Sequence, residues 1–184
     1  MTDPLLDRRS MLRLGGGLWA ATLLSLELSA FAARAAENRS SGTLAVLDEP
    51  LARTLEAVTA RILPTTETPG AREAGAIWFI DAILATDLAE ALPLLRAGAG
   101  GLDDGTPGSF AERTPAQQDA QLRAIEDSEF FDLMHFLTLA GTFTQADYGG
   151  NRGGLGWDLL GFDRRHHWTP PFGFYDAAAT EGRD

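Results

Sequence analysis

The chain has no cysteine and no lysine, so all 15 of its basic residues are arginine. The missing cysteine excludes disulfides, thiolate nucleophiles, cysteine-ligated iron–sulfur clusters and a CxxCH haem attachment. The missing lysine removes the phosphate-binding lysine of a P-loop, the Schiff-base lysine of pyridoxal enzymes and any lysine general base. Positive charge is scarce as well. A formal net charge of −11 argues against a nucleic-acid partner, because neutralising phosphates needs a basic surface. No stretch shows a convincing strand pattern. Few chemistries are left that this chain could perform alone.

What is present is a globular composition, 45% hydrophobic and 22% charged over 184 residues, enough for one domain and a core. The first residues read MTDPLLDRRSMLRLGGGLWAATLLSLELSAFAARAAENRSS. Arg8 and Arg9 precede Leu12 and a glycine-rich apolar run from Leu14 to Ala33, and Ala33 with Ala35 offers an A-x-A cleavage site. This is the pattern of a twin-arginine signal peptide, and it sets the expected division into a signal over 1–36 and a single helical domain over 37–184. A transmembrane anchor is the alternative. Gly15, Gly16, Gly17, Ser25 and Glu27 weigh against it, since a charge at mid-bilayer is costly. The twin-arginine route carries folded proteins, usually because a cofactor went in beforehand or a folded partner needs transport. The mature chain shows no cofactor motif, so the cofactor is expected in another chain.

Leu51, Leu55, Val58 and Ile62 mark one face of a helix that Asp48 or Glu49 with Pro50 can start and Pro64 stops. After the turn-rich TTETPG, a second helix is expected from about Ala71 to Leu92. Its apolar stripe is Ile77, Ile80, Leu84, Leu88 and Leu92, widened by Trp78, Phe79 and Ile83. Ala71, Ala74, Gly75 and Ala76 would let a neighbouring backbone or ring come close, most simply the first helix. Arg96 to Phe110 reads as a glycine-rich loop without apolar periodicity. Thr114, Pro115 and Gln117 then open a surface helix reaching about Glu126, with Leu122 and Ile125 as its large apolar contacts. The stretch from Ser128 to Phe143 is apolar nearly all round, as expected of a central helix that leaves part of its surface to a partner.

From Gln145 the regular pattern ends and seven aromatics alternate with glycines and prolines. Trp157, Phe162, Trp168, Phe172, Phe174 and Tyr175 are the candidate anchors of a segment that wraps the domain or docks on a partner. The fold class read from all this is mainly α, a small helical domain with an irregular C-terminal segment rich in glycine and aromatics.

Apparent motifs for chemistry do not assemble. GGNRGGLG lacks the glycine spacing and the flanking strand of a dinucleotide fingerprint, with Leu159 where the third glycine belongs. His135 could join His166 or His167, with Asp132 or Asp163, in a carboxylate–histidine site, and the alternative function is a free-standing periplasmic metal- or haem-binding protein that uses His135 with His166 or His167. The ligand spacing is missing, and solvated polar residues are the simpler reading. Asp103-Asp104 and Glu126-Asp127 read as solvated charge. Neither catalytic, metal nor cofactor-binding residues are assigned.

Two blocks nevertheless form a recognisable order. One is LARTLEAVTARILPTTETPGAREAGAIWFID, with Pro64, Pro69, Gly70, Ala71, Gly75 and Phe79; the other is TQADYGGNRGGLGWDLLGF, with Tyr148, Gly149, Trp157, Asp158, Gly161 and Phe162. Together with the twin-arginine pattern they make the chain resemble the subunit 3 family of gluconate 2-dehydrogenase, the small subunits of membrane-associated sugar and sugar-acid dehydrogenases. The resemblance implies a non-catalytic subunit whose motif residues serve the family fold or a partner interface. It places FAD in a large glucose-methanol-choline-type partner. A multihaem cytochrome c often takes the electrons in such complexes. The small subunit would assist maturation and export of the flavin subunit into the periplasm, with the complex peripheral on the outer face of the cytoplasmic membrane. Substrate does not transfer, since related complexes act on several polyols and sugar acids.

Overall fold

The computed structural model describes residues 28–103 and 109–162, and among them the chain is built of α-helices and 3-10 turns with no strand. The α-helices are α1 (Leu28–Ser41), α2 (Glu49–Ile62), α3 (Ala71–Ala74), α4 (Ala76–Leu84), α5 (Leu92–Asp103), α6 (Pro115–Ala124), α7 (Glu129–Phe143) and α8 (Leu155–Leu159). The mainly α expectation holds.

Local chemistry sets most of the boundaries. Asp48 caps α2 by accepting the Leu51 amide at 3.1 Å, with Pro50 in the first turn. Thr114 caps α6 and Gln117 returns the favour to the Thr114 amide at 3.0 Å, a complete capping box. Ser128 caps α7 by accepting from Phe131 at 3.2 Å. Helix α6 closes at Ala124, two residues before the expected end, with Leu122 buried beneath it.

Helices α4 and α7 pack against each other as the centre of the fold, and α2 lies across both. Phe130, Leu133, Met134 and Leu137 of α7 meet Ile77, Ile80, Ile83 and Leu84 of α4, while Leu55 and Val58 of α2 close the core. Each such side chain contributes on the order of 1.5–3 kcal/mol when fully withdrawn from water. Leu139 on the far side of α7 is exposed, and Phe131, Phe136 and Phe143 are half-buried.

Two expectations from the sequence are corrected. The helix from Ala71 to Leu92 is not continuous. Gly75 adopts left-handed geometry (φ 72°, ψ 35°), separating α3 from α4, and α4 ends at Leu84. A turn and a 3-10 helix over Ala89–Ala91 then lead into α5. The expected glycine-rich loop from Arg96 is helical as far as Asp103. Its glycines are used for space: a Cβ on Gly98 would collide with the Phe130 ring, so α5 can lie close to α7 only with glycine there. Residues 104–108 of that loop fall outside the described residues.

Helix α1 is tied to α4 by a buried carboxylate. Asp81 on α4 is 0% exposed. It accepts from the Asn38 side chain at 2.6 Å and from the backbone amides of Ala45, Val46 and Leu47 at 2.8, 2.9 and 3.0 Å. A buried carboxylate is tolerable only when so fully hydrogen-bonded. Helix α1 runs through residue 36, the expected end of the signal.

Candidate docking face

The two motif blocks come together in space. In the first, the proline-rich break is a closed corner. Gly70 packs on the backbone of Leu63, Pro64 and Thr65 so tightly that any Cβ would clash, and Ala71 donates to the Leu63 carbonyl at 3.0 Å. Glu73 ties the corner, accepting from the Thr65 hydroxyl at 2.6 Å and the Gly70 amide at 2.9 Å. These bonds, the Thr65 hydroxyl first and the Gly70 amide next, hold the Glu73 carboxyl below the usual carboxylate range. Pro64 is half-buried and Pro69 is exposed.

The small residues that follow are covered by α2, as expected, and equally by α7 and the second block. A Cβ on Gly141 would stand 3.0 Å from the Ala76 carbonyl, so α7 and the start of α4 nearly touch backbone to backbone. The Arg152 side chain crosses Gly75, where a Cβ would lie 2.7 Å from its Nε, and its guanidinium sits 5.0 Å from the Trp78 ring centroid. Gly75 therefore serves twice, for a left-handed turn and for the arginine above it.

The second block caps the C-terminal end of α7, whose last carbonyls lack helical partners. Asn151 is 0% exposed and takes a left-handed conformation at φ 44°. Its amide nitrogen donates to the Thr144 carbonyl at 2.7 Å, its carbonyl oxygen accepts from the Gly156 amide at 2.8 Å, and its backbone N–H reaches the Gly141 carbonyl at 2.9 Å. Trp157 Nε1 donates to the Phe143 carbonyl at 2.7 Å. Gly150 and Gly156 lie against the carbonyls of Gly141 and Thr142, where no Cβ fits, and Gly149 lies on the Trp78 backbone.

The candidate residues divide by exposure. Ala71, Gly75, Phe79, Gly70 and Gly149 are buried within this chain, and Tyr148 and Trp157 are half-buried. Asp158, Gly161 and Phe162 are exposed beside Leu160, which is 63% exposed, and Phe162 meets Trp157 edge-on at 5.5 Å. Sequence reasoning passed over Asn151 and Arg152, which hold the block together. The signal was present: an asparagine between glycine pairs is the one side chain that tolerates αL and can bond the backbone on both sides.

Of the residues considered for a metal or haem site, His135 is exposed on α7 with its ring nearly parallel to Phe131, centroids 6.4 Å apart. Asp132 is exposed too, and His166, His167 and Asp163 lie outside the described residues, as do Trp168, Phe172, Phe174 and Tyr175. Among the described residues no group of three or more histidine or acidic side chains could hold a metal ion. Of the export-signal residues, Arg8, Arg9 and Leu12 lie outside the described residues, while Ala33 and Ala35 are in α1. Among the described residues no helix is long and apolar enough to cross a membrane.

No curated protein and no solved structure matches the chain. A family model does, described as gluconate 2-dehydrogenase subunit 3, over residues 49–163, a span that runs from the first residue of α2 through both interlocked blocks. The chain belongs to the gluconate 2-dehydrogenase subunit 3 family.

Proposed function

We propose that this chain is the non-catalytic small subunit of an FAD-dependent, glucose-methanol-choline-type sugar or sugar-acid dehydrogenase such as gluconate 2-dehydrogenase. It escorts the folded flavin subunit along the twin-arginine route, and the assembled complex works in the periplasm, peripheral on the cytoplasmic membrane. FAD belongs to the partner, and a cytochrome c subunit receives the electrons.

The observation that carries this reading is the family match over residues 49–163. The architecture supports it. The motif residues are spent on fixing backbone geometry, with glycines in contact with carbonyls and an asparagine capping a helix, and such rigidity keeps the cost of ordering an interface low. Leu160, Phe162 and Leu139 supply exposed apolar side chains for a partner to cover. Arg8 and Arg9 supply the address.

Co-expression with a glucose-methanol-choline-type flavin subunit tests the reading. Flavin activity in the periplasm should require this chain, and changing Arg8 and Arg9 together to lysine should leave both proteins in the cytoplasm. If the flavoprotein reaches the periplasm equally well with the chain deleted, the escort role is lost.

A further inference from the structure

The A-x-A pair at the end of the apolar N-terminal run lies inside a helix that is part of the folded domain. Ala33 and Ala35 both belong to α1, which continues to Ser41. A signal peptidase reads such a pair as two small side chains entering neighbouring pockets from the same side. An extended chain provides that, because residues two apart share a face. A helix does not, since two residues turn the chain by roughly 200°. The structure shows the consequence: Ala33 is exposed, while Ala35 is 1% exposed and part of the hydrophobic core.

Unwinding this stretch is opposed three residues further on. Asn38 is 3% exposed and bonded at 2.6 Å to Asp81, which also holds the amides of residues 45–47. Helix α1 packs on α4 and on the 3-10 helix at Ala146–Tyr148, so its position is set by the core and by the second motif block together. Peeling it away exposes Ala35, removes the Asn38 amide from a buried carboxylate and loosens the 45–47 strap. Proteolysis inside a folded element proceeds only through such an opening.

We propose that folding withdraws the Ala33-x-Ala35 site, so that the chain keeps its N-terminal segment instead of losing it as a signal. The inference deepens the export reading above: a chain that folds before transport would meet the peptidase with this site already helical.

The deciding experiment does not depend on export. Purified full-length chain is incubated with purified signal peptidase in detergent, beside a free peptide of residues 20–45 and the Asp81→Ala and Asn38→Ala variants, with products read by intact mass. The peptide should be cut after Ala35, and the folded chain at least about ten-fold more slowly. Releasing the Asp81 clamp should raise the rate about ten-fold or more, as expected when charge-assisted hydrogen bonds that oppose opening are lost. Asn38→Ala, which leaves the other three bonds in place, serves if Asp81→Ala does not fold. Equal rates for peptide and folded chain overturn the proposal. So does a peptide that resists cutting, because the protection would then not be conformational. So do variants no faster than wild type. Failure of the escort reading alone would leave these rates unchanged and appear instead as an unaltered periplasmic yield of flavoprotein without this chain.

Discussion

Gly150 lies flat against the carbonyl of Gly141, closer than any side chain would permit. The contact locks the second motif block onto the end of α7, and the next residue completes it with a backbone bond to the same oxygen at 2.9 Å. Gly150→Ala forces a methyl group into a backbone atom that cannot swing aside. We expect it to cost about 1–3 kcal/mol through overpacking alone, and more once the Asn151 bond is lost. Gly153 is the control: it has open space around its Cβ direction but φ 65°, so Gly153→Ala should cost only the left-handed penalty of about 1–2 kcal/mol. Urea unfolding of the two variants separates collision from conformational strain.

Asn151 combines three roles, a left-handed φ and two side-chain bonds to backbone. Asn151→Ala removes both bonds and strains the backbone, for an expected loss of about 3 kcal/mol. Asn151→Gly relieves the strain without restoring the bonds, so it should be milder by about 1 kcal/mol. If alanine and glycine prove equally costly, the left-handed conformation contributes nothing at this position.

The legible parts of the fold were those fixed within a few residues. Asp48 with Pro50, Thr114 with Gln117, and Ser128 each announce a helix start through side chains that bond their own next turn. Pro64 announces an end for the same local reason. What could not be read depended on distant partners. The glycines of Arg96–Asp103 look like a loop because they lower helix propensity, yet Gly98 is there for the Phe130 ring, 32 positions later. The break at Gly75 is shared with Arg152, and Asp81 looks like a stray acid in an apolar helix until residues 38–47 fold back onto it. At the docking face, the glycine and aromatic pattern was visible. The division between residues that build it and those that remain exposed was not, because burial is a property of the assembled helices.

Between α2 and α6, Arg61 grips Asp119 with two bonds, Nε to Oδ1 at 2.6 Å and Nη2 to Oδ2 at 3.0 Å. The hydrogen bond from Arg61 is the main reason the Asp119 carboxyl titrates below its ordinary value. Partial burial opposes the effect, and the charges of Arg61 and Arg123 assist it. A depressed folded-state pKa means a stabilisation fully present above the free value of about 3.9 and lost as pH falls through the lowered one. The stability difference between wild type and Asp119→Asn should therefore be constant near neutrality, about 1 kcal/mol for a half-buried pair, and should close below about pH 4. Denaturation midpoints measured across that range check it, and a difference that persists in strong acid would assign the effect to packing.

Leu160 is the sharpest probe of the docking face because it is 63% exposed and contributes little to this chain's own core. Solvent-exposed apolar residues can usually be made polar within about 0.5 kcal/mol of the original stability. An apolar side chain that a partner buries typically costs 1 kcal/mol or more of binding when truncated, roughly a five-fold weaker complex. Leu160→Ser should therefore leave the thermal unfolding of the isolated subunit unchanged and lower the yield of exported flavoprotein on co-expression. Trp157→Phe would confuse the test, because the indole N–H supports the Phe143 carbonyl at the end of α7 and its loss weakens the scaffold itself. An unchanged unfolding curve with an unchanged export yield for Leu160→Ser would move the partner's contact elsewhere, and the exposed Leu139 on α7 is the next position to substitute.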